Sequence, residues 1–241
     1  MNILYLCADR GIPVRGHKGA AVHVRNLSDA LVRTGHKVII VTPRPGPTDG
    51  PVPRAGIVTV PLPPRPEGEP DGAIARERQA QAYADVLHAA AREFLAQHTF
   101  DFIYERYSLW SDVGARLQRE TGLPLVLEVN APLRMEALRY RNLSDDPLAA
   151  RIEEAQFKTA HAIAVVSEPL GEYVSGRGAG NGQVHVLPNA VDPVRFHPAV
   201  RGEAVRDRYG LNGRFVVGFV GRPRPWHDLE ALCTAFARLY V

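Results

Sequence analysis

Short apolar runs alternate with helical patterns along this chain, and that alternation decides the fold class. Ile3 to Cys7, Lys37 to Thr42, Ile57 to Val60, Phe102 to Glu105, Leu125 to Val129, Ala162 to Val166 and Val184 to Leu187 read as strands. Between them, apolar residues return at helical spacing. Ala20, Val24, Leu27 and Leu31 form one such set, which Gly35 closes where a left-handed cap is expected. Ala73 to Gln97 reads as a long amphipathic helix with Tyr83, Leu87, Ala90 and Phe94 on one face. Shorter helical patterns surround Val113–Leu117, Leu148–Phe157 and Pro169–Val174, the last with Ser167 as N-cap. Near-continuous apolar strands separated by helices predict an α/β fold, a doubly wound parallel sheet covered on both faces.

Such a sheet binds ligands beyond the carboxyl ends of its strands. The loop from Ala8 to Ala21 holds three glycines and opens a helix, so its N–H groups suit an anion or a sugar hydroxyl. A plain strand-to-helix turn is the other reading. Gly-x-Gly-x-x-Gly is absent, and the near P-loop Gly11…Gly16-His17-Lys18 lacks the hydroxyl that would hold Mg²⁺. Asn130 ends a strand, where its amide serves either a substrate hydroxyl or its own turn. Glu105-Arg106 reads as a local ion pair. Glu168 stands at a helix start, favoured there by the dipole. Arg134, Arg139 and Arg141 mark a basic segment that is either helical or irregular.

Composition excludes several classes. No run of 18 apolar residues exists. The first residues lack a basic n-region and reach Asp9-Arg10 too soon for a signal peptide, which predicts a cytoplasmic chain. Cys7 and Cys233 give neither a disulfide framework nor a zinc spacing, so no metal site is expected. Net charge is +3, with 26 Arg against 3 Lys. The arginine bias reflects either base composition or a surface for phosphates and anionic lipid.

A break follows. Val186-Leu187-Pro188-Asn189-Ala190-Val191-Asp192 runs a strand into a Pro-Asn turn, with Phe196 as an aromatic anchor. Phe215 to Val220 reads as a further strand, closed by Gly221-Arg222, and Leu229, Leu232, Phe236 and Leu239 as an apolar helical stripe. Arg222 and His227 beside a helix start suit a diphosphate. The reading is a first domain over 1–188, a hinge and lead-in over 189–213, and the first strand and helix of an incomplete second α/β domain over 214–241.

Taken together, these motifs resemble glycosyltransferase family 4, which has the two-domain GT-B fold. Lys18-Gly19-Ala20-Ala21-Val22-His23-Val24 with Gly35-His36-Lys37-Val38 is similar to the family's Gly-rich loop and first helix. Leu187 to Asp192 is similar to its Pro-Asn-Gly-Val-Asp hinge, with Ala190 for the Gly. Gly218 to Arg222 and Pro225-Trp226-His227 are similar to the loop that opens its donor domain.

The resemblance implies a Rossmann-like acceptor domain and metal-independent, retaining hexosyl transfer from a nucleotide-diphosphate sugar to a glycan or lipid-linked acceptor, in polysaccharide or glycoconjugate biosynthesis. It implies no cofactor beyond that donor and no nucleic-acid partner. It places Gly19 and Ala20 beside the sugar, with Lys18 and Glu168 on the substrate side. It assigns Arg222 and His227 to the leaving diphosphate, His227 standing where many members have Lys. Asn130 stands where many members have His. The family's paired donor glutamates have no counterpart here, so the isolated chain is expected to be weakly active or inactive, with a donor domain or partner chain missing. The alternative is a non-catalytic acceptor-binding module working with a separate donor chain. The Arg-rich segment from Arg134 to Arg151 suits peripheral contact with the inner face of a membrane.

Overall fold

The computed structural model describes residues 1–65, 72–221, 223–224 and 227–239. Seven parallel strands form one sheet in the order β3-β2-β1-β4-β5-β6-β7. They are β1 (Asn2–Leu6), β2 (Lys37–Thr42), β3 (Gly56–Thr59), β4 (Phe102–Arg106), β5 (Leu125–Val129), β6 (Ala162–Val165) and β7 (Val184–Val186). The helices are α1 (Gly19–Arg33), α2 (Ala73–Gln97), α3 (Val113–Thr121), α4 (Leu133–Tyr140), α5 (Asp146–Thr159), α6 (Glu168–Ser175), α7 (Glu203–Tyr209) and α8 (Leu229–Leu239). The doubly wound parallel sheet expected from the alternation is therefore present.

Strand periodicity divides the core in two. On one face Leu4, Leu6, Ile103, Leu125, Leu127, Ile163 and Val165 pack under α2, α3, α5 and α6. On the other, Ile3, Tyr5, Cys7, Val38 and Ile40 pack under α1 through Ala21 and Val24. α1 ends at Arg33, and Gly35 follows with φ +90, the left-handed position that spares glycine a Cβ clash. Asp145 caps α5 by accepting from the Leu148 N–H at 2.9 Å.

The same periodicity corrects the Glu105-Arg106 reading. Neighbours on a strand point to opposite faces, so the two side chains cannot pair. Glu105 turns toward α3, and Arg106 reaches Glu128 on β5 at 3.2 Å. The basic segment resolves into α4, separated from α5 by a turn in which Asn142 takes φ 55. Ser167 occupies the N-cap position of α6 with extended backbone, but its hydroxyl makes no capping bond.

The chain forms two compact units, Met1–Ala190 and Val191–Val241. In the second, α7 and α8 are helical, while 214–220 is irregular rather than a strand. Phe215 and Val220 are exposed there. An apolar run forms a strand only when a neighbouring strand takes up its N–H and C=O groups, and no partner strand pairs with it among the described residues. None of the described helices is long and apolar enough to cross a membrane.

Candidate functional site

The loop after β1 is braced from three directions. Within it, Asp9 accepts from the Gly11 N–H at 2.6 Å, and the Gly16 N–H donates to the Pro13 carbonyl at 2.7 Å. From α1, the buried Arg25 guanidinium donates to the carbonyls of Val14 and Gly16 at 2.7 and 2.5 Å. From the loop after β2, the carbonyls of Arg44 and Pro45 accept from the N–H groups of Val14 and Arg15 at 3.0 and 2.8 Å. Buried carbonyls need such partners, and here one guanidinium satisfies two.

This bracing delivers the chain to α1 with Lys18 as an extended N-cap. Lys18 and Gly19 are exposed, Ala20 is half-buried, and a Cβ on Gly19 would meet nothing. The loop thus presents an exposed helix start.

One turn further along α1, His23 reaches the end of β5. Its Nε2 bonds Oε1 of Glu128, whose carboxylate also takes Arg106 at 3.2 Å and the Tyr5 hydroxyl at 3.4 Å. Burial works to raise the Glu128 pKa. The hydrogen bond from His23, the Arg106 and His23 charges and the Asn130 amide outweigh burial and hold it below its ordinary value. Asn130 lies two residues on, half-buried, with its amide beside that carboxylate.

On the α2 side of the same sheet edge lies a cavity of about 450 Å³. Asp9 and Arg10 from the β1 loop, Arg76 and Glu77 from α2, Trp110 after β4 and Arg141 at the end of α4 contribute to its wall. Arg10 is held by Gln79 at 3.1 Å and Arg141 by Glu136 at 3.0 Å. The volume lies within the range of small-molecule sites, and the lining mixes an apolar floor with convergent charge.

The remaining candidates fall elsewhere. Glu168 is exposed at the first residue of α6. His227 belongs to the second unit, exposed, with its ring 5.1 Å from that of Phe219. Arg222 lies outside the described residues. Arg134, from the basic segment, is locked to Asp146 at 2.6 Å, and this pairing holds the Asp146 carboxyl low. No cluster of His, Cys, Asp or Glu able to hold a metal occurs among the described residues.

Sequence reading passed over His23, Glu128, Asp9, Arg10 and Trp110. One signal was visible: Glu128 interrupts the apolar run Leu125 to Val129. A carboxylate there must be paired to be tolerated.

Comparison with known proteins fits this geometry. The chain is 25% identical over 226 residues to a GDP-mannose-dependent alpha-mannosyltransferase of Mycobacterium tuberculosis, covering 89% of this chain and 54% of that protein. It is 32% identical over 147 residues to a D-inositol 3-phosphate glycosyltransferase of Streptomyces scabiei, covering 58% of this chain and 32% of that one. The chain thus spans about half the length, or less, of the curated relatives it matches. Among solved structures, sucrose-phosphate synthase of Thermosynechococcus elongatus superposes with a TM-score of 0.74 at 18% identity, over 98% of this chain and 59% of that one. Anabaena HepE in complex with UDP-glucose superposes with a TM-score of 0.64 at 17% identity, over 99% and 57%. These likenesses establish the GT-B fold. The model of the glycosyl transferase 4-like domain matches residues 18–190, which contain α1 and the sheet from β2 to β7, and the chain belongs to that family.

Proposed function

We propose that this chain is the acceptor-side part of an enzyme that moves a hexosyl group from a nucleotide-diphosphate sugar to a hydroxyl of a glycan, polyol or lipid-linked acceptor, with retention at the anomeric carbon. The observation that carries the reading is the charged cavity at the carboxyl ends of the strands, in a chain of this family. The activities named for the relatives favour a nucleotide-linked hexose as donor and a phosphorylated polyol among the acceptors. Arg10, Arg76 and Arg141 suit a phosphate, since guanidinium binds oxyanions through paired N–H groups.

In this reading Gly19 and Ala20 let the transferred sugar approach the backbone, with Lys18 and Glu168 on the substrate side. Asn130 faces the reacting groups. Arg222 and His227 stabilise charge on the departing diphosphate. The reaction takes place in the cytoplasm, at the inner face of a membrane where the acceptor is lipid-linked.

Trp110 is buried in the cavity wall, so its emission reports occupancy. In a Trp226→Phe background, titration with myo-inositol phosphate and with mannose oligosaccharides is expected to give a saturable change that Arg10→Ala weakens. Lack of a saturable response to any polyol, glycan or their phosphates would count against the reading.

A further inference from the structure

α2 presents a graded face to the cavity. Arg76, Ala80 and Tyr83 follow one another at helical spacing, and all contribute to its wall. Arg76 is exposed, Ala80 half-buried and Tyr83 only 2% exposed. The wall thus runs from a wet mouth to a dry inner end over about 10 Å of helix axis. The Ser144 N–H donates to Glu77 at 3.1 Å, which brings the end of α4, and exposed Arg141 with it, to the mouth. At the other end, the Tyr83 hydroxyl is buried and has no hydrogen-bond partner among the described residues. Cys7, just past β1, lies close enough to act on the phenol, and the residues after it, Ala8 and Asp9, line the cavity. The hydroxyl therefore stands where β1 meets the cavity. Burial, with Cys7 beside it, pushes the phenol above its ordinary pKa, so the oxygen keeps its proton and both donates and accepts. A phenylalanine would fill the same core volume without burying a polar atom, and such atoms are overwhelmingly paired in folded proteins.

We propose that the Tyr83 hydroxyl is a ligand-binding group: it bonds an alcohol of a phosphorylated polyol at the dry end of the cavity, while the phosphate stays at the arginine mouth. An alcohol loses far less on leaving water than a phosphate does, so the alcohol end is the one that enters. Guanidinium groups at the mouth meet the phosphate through paired N–H groups while water still solvates it. Inside, one hydrogen bond between alcohol and phenol satisfies two buried oxygens at once. Ala80, between the two ends, leaves room beside α2 for the ring of the ligand. Tyr83 is then specificity-determining, because a site built to bond a hydroxyl rejects the analogue that lacks it. The inference rests on the reading that this cavity takes a phosphorylated polyol, and it adds the orientation of that ligand and the residue that selects it.

Tyr83→Phe removes one oxygen and keeps the ring, which separates recognition from packing. In the full 241-residue chain with Trp226→Phe, Trp110 emission is titrated with myo-inositol phosphate and with cyclohexyl phosphate, which keeps ring and phosphate but has no alcohol. Tyr83→Phe is expected to bind the inositol phosphate about tenfold more weakly, the loss of one hydrogen bond, and to bind cyclohexyl phosphate as the parent chain does. Arg76→Ala is expected to weaken both phosphates by the same factor. The phenylalanine variant is expected to melt no lower than its parent, because the oxygen bonds nothing in the free protein. A lower melting temperature shows that the hydroxyl serves the fold and overturns the inference. Equal affinity of variant and parent for the inositol phosphate overturns it too, as does an equal loss toward both phosphates. If both phosphates give a saturable response that Arg10→Ala weakens and Tyr83→Phe does not, this inference falls and the cavity reading stands. If neither phosphate nor any other polyol or glycan gives a saturable response, both fall.

Discussion

Glu105 offers the sharpest test of how this sheet is held together. It is fully buried at the end of β4, accepts from the Ser111 hydroxyl at 2.8 Å and the Gly114 N–H at 2.9 Å, and has no ion-pair partner among the described residues. Burial pushes its carboxyl up to about 8 from an ordinary 4.5, the two donors opposing the rise only in part and Asp112 adding to it. Its contribution to stability is therefore complete below the unfolded value and is lost as pH climbs toward the folded one. From about pH 5 to about pH 7 the unfolded chain gives up this proton and the native chain keeps it, so stability falls by about 2 to 3 kcal/mol. In Glu105→Gln the amide oxygen still accepts from Gly114 and the amide nitrogen donates to the Ser111 oxygen, but nothing titrates. Urea melts read on Trp110 fluorescence, in a Trp226→Phe background, follow the first unit. The stability difference between wild type and Glu105→Gln is expected to move by about 2 to 3 kcal/mol in favour of the variant over that interval, with unchanged m-values. Histidines common to both chains cancel in the comparison. Two curves that stay parallel to within about 0.5 kcal/mol would refute the assignment of a neutral, buried Glu105.

Other perturbations follow from the same geometry. Gly114→Ala drives a methyl into the Glu105 carboxylate and to 2.8 Å from Leu125 Cδ1, and is expected to cost about 2 to 3 kcal/mol in urea melts. Glu153 is 1% exposed and accepts from the hydroxyls of Tyr107 and Tyr173, both at 2.7 Å, so Glu153→Ala strands two phenols beside Arg134 and Arg177 and is expected to cost about 3 to 5 kcal/mol by the same measurement. Arg25→Met removes the donors to Val14 and Gly16, and hydrogen exchange is expected to show the amides of Val14, Arg15 and Gly16 losing protection while β1 keeps its own. Asp145→Ala removes the α5 cap and is expected to lower stability by about 1 kcal/mol, read as a fall in the urea midpoint.

Period and punctuation were enough to read the sheet. Ile3 to Cys7 and Leu125 to Val129 are apolar nearly throughout because strands of a parallel sheet are buried on both faces. α2 was legible end to end, since twenty-five residues of helical pattern leave little room for another solution. What sequence could not show was pairing between distant residues. Arg106 sits next to Glu105 in the chain and bonds Glu128, because the pleat turns neighbours apart and brings register partners together. Phe215 to Val220 carries strand propensity, but propensity becomes a strand only beside another edge. His23 was hidden because an imidazole on a mostly apolar helix has no periodic signature of its role, which appears only when β5 comes within reach of α1.

Glu105 and Glu128 stand at the carboxyl ends of adjacent strands, yet on opposite sides of the sheet. Glu105 answers to Ser111 and Gly114 at the start of α3, and Glu128 to the imidazole of α1. Mutational drift in one neighbourhood does not have to pass through the other. A lineage that alters residues around α3 retunes how the protein endures rising pH and heat, while one that alters α1 acts on the opposite face of the sheet. The pleat of two short strands thus gives this scaffold two nearly orthogonal dials, one on each face of the sheet.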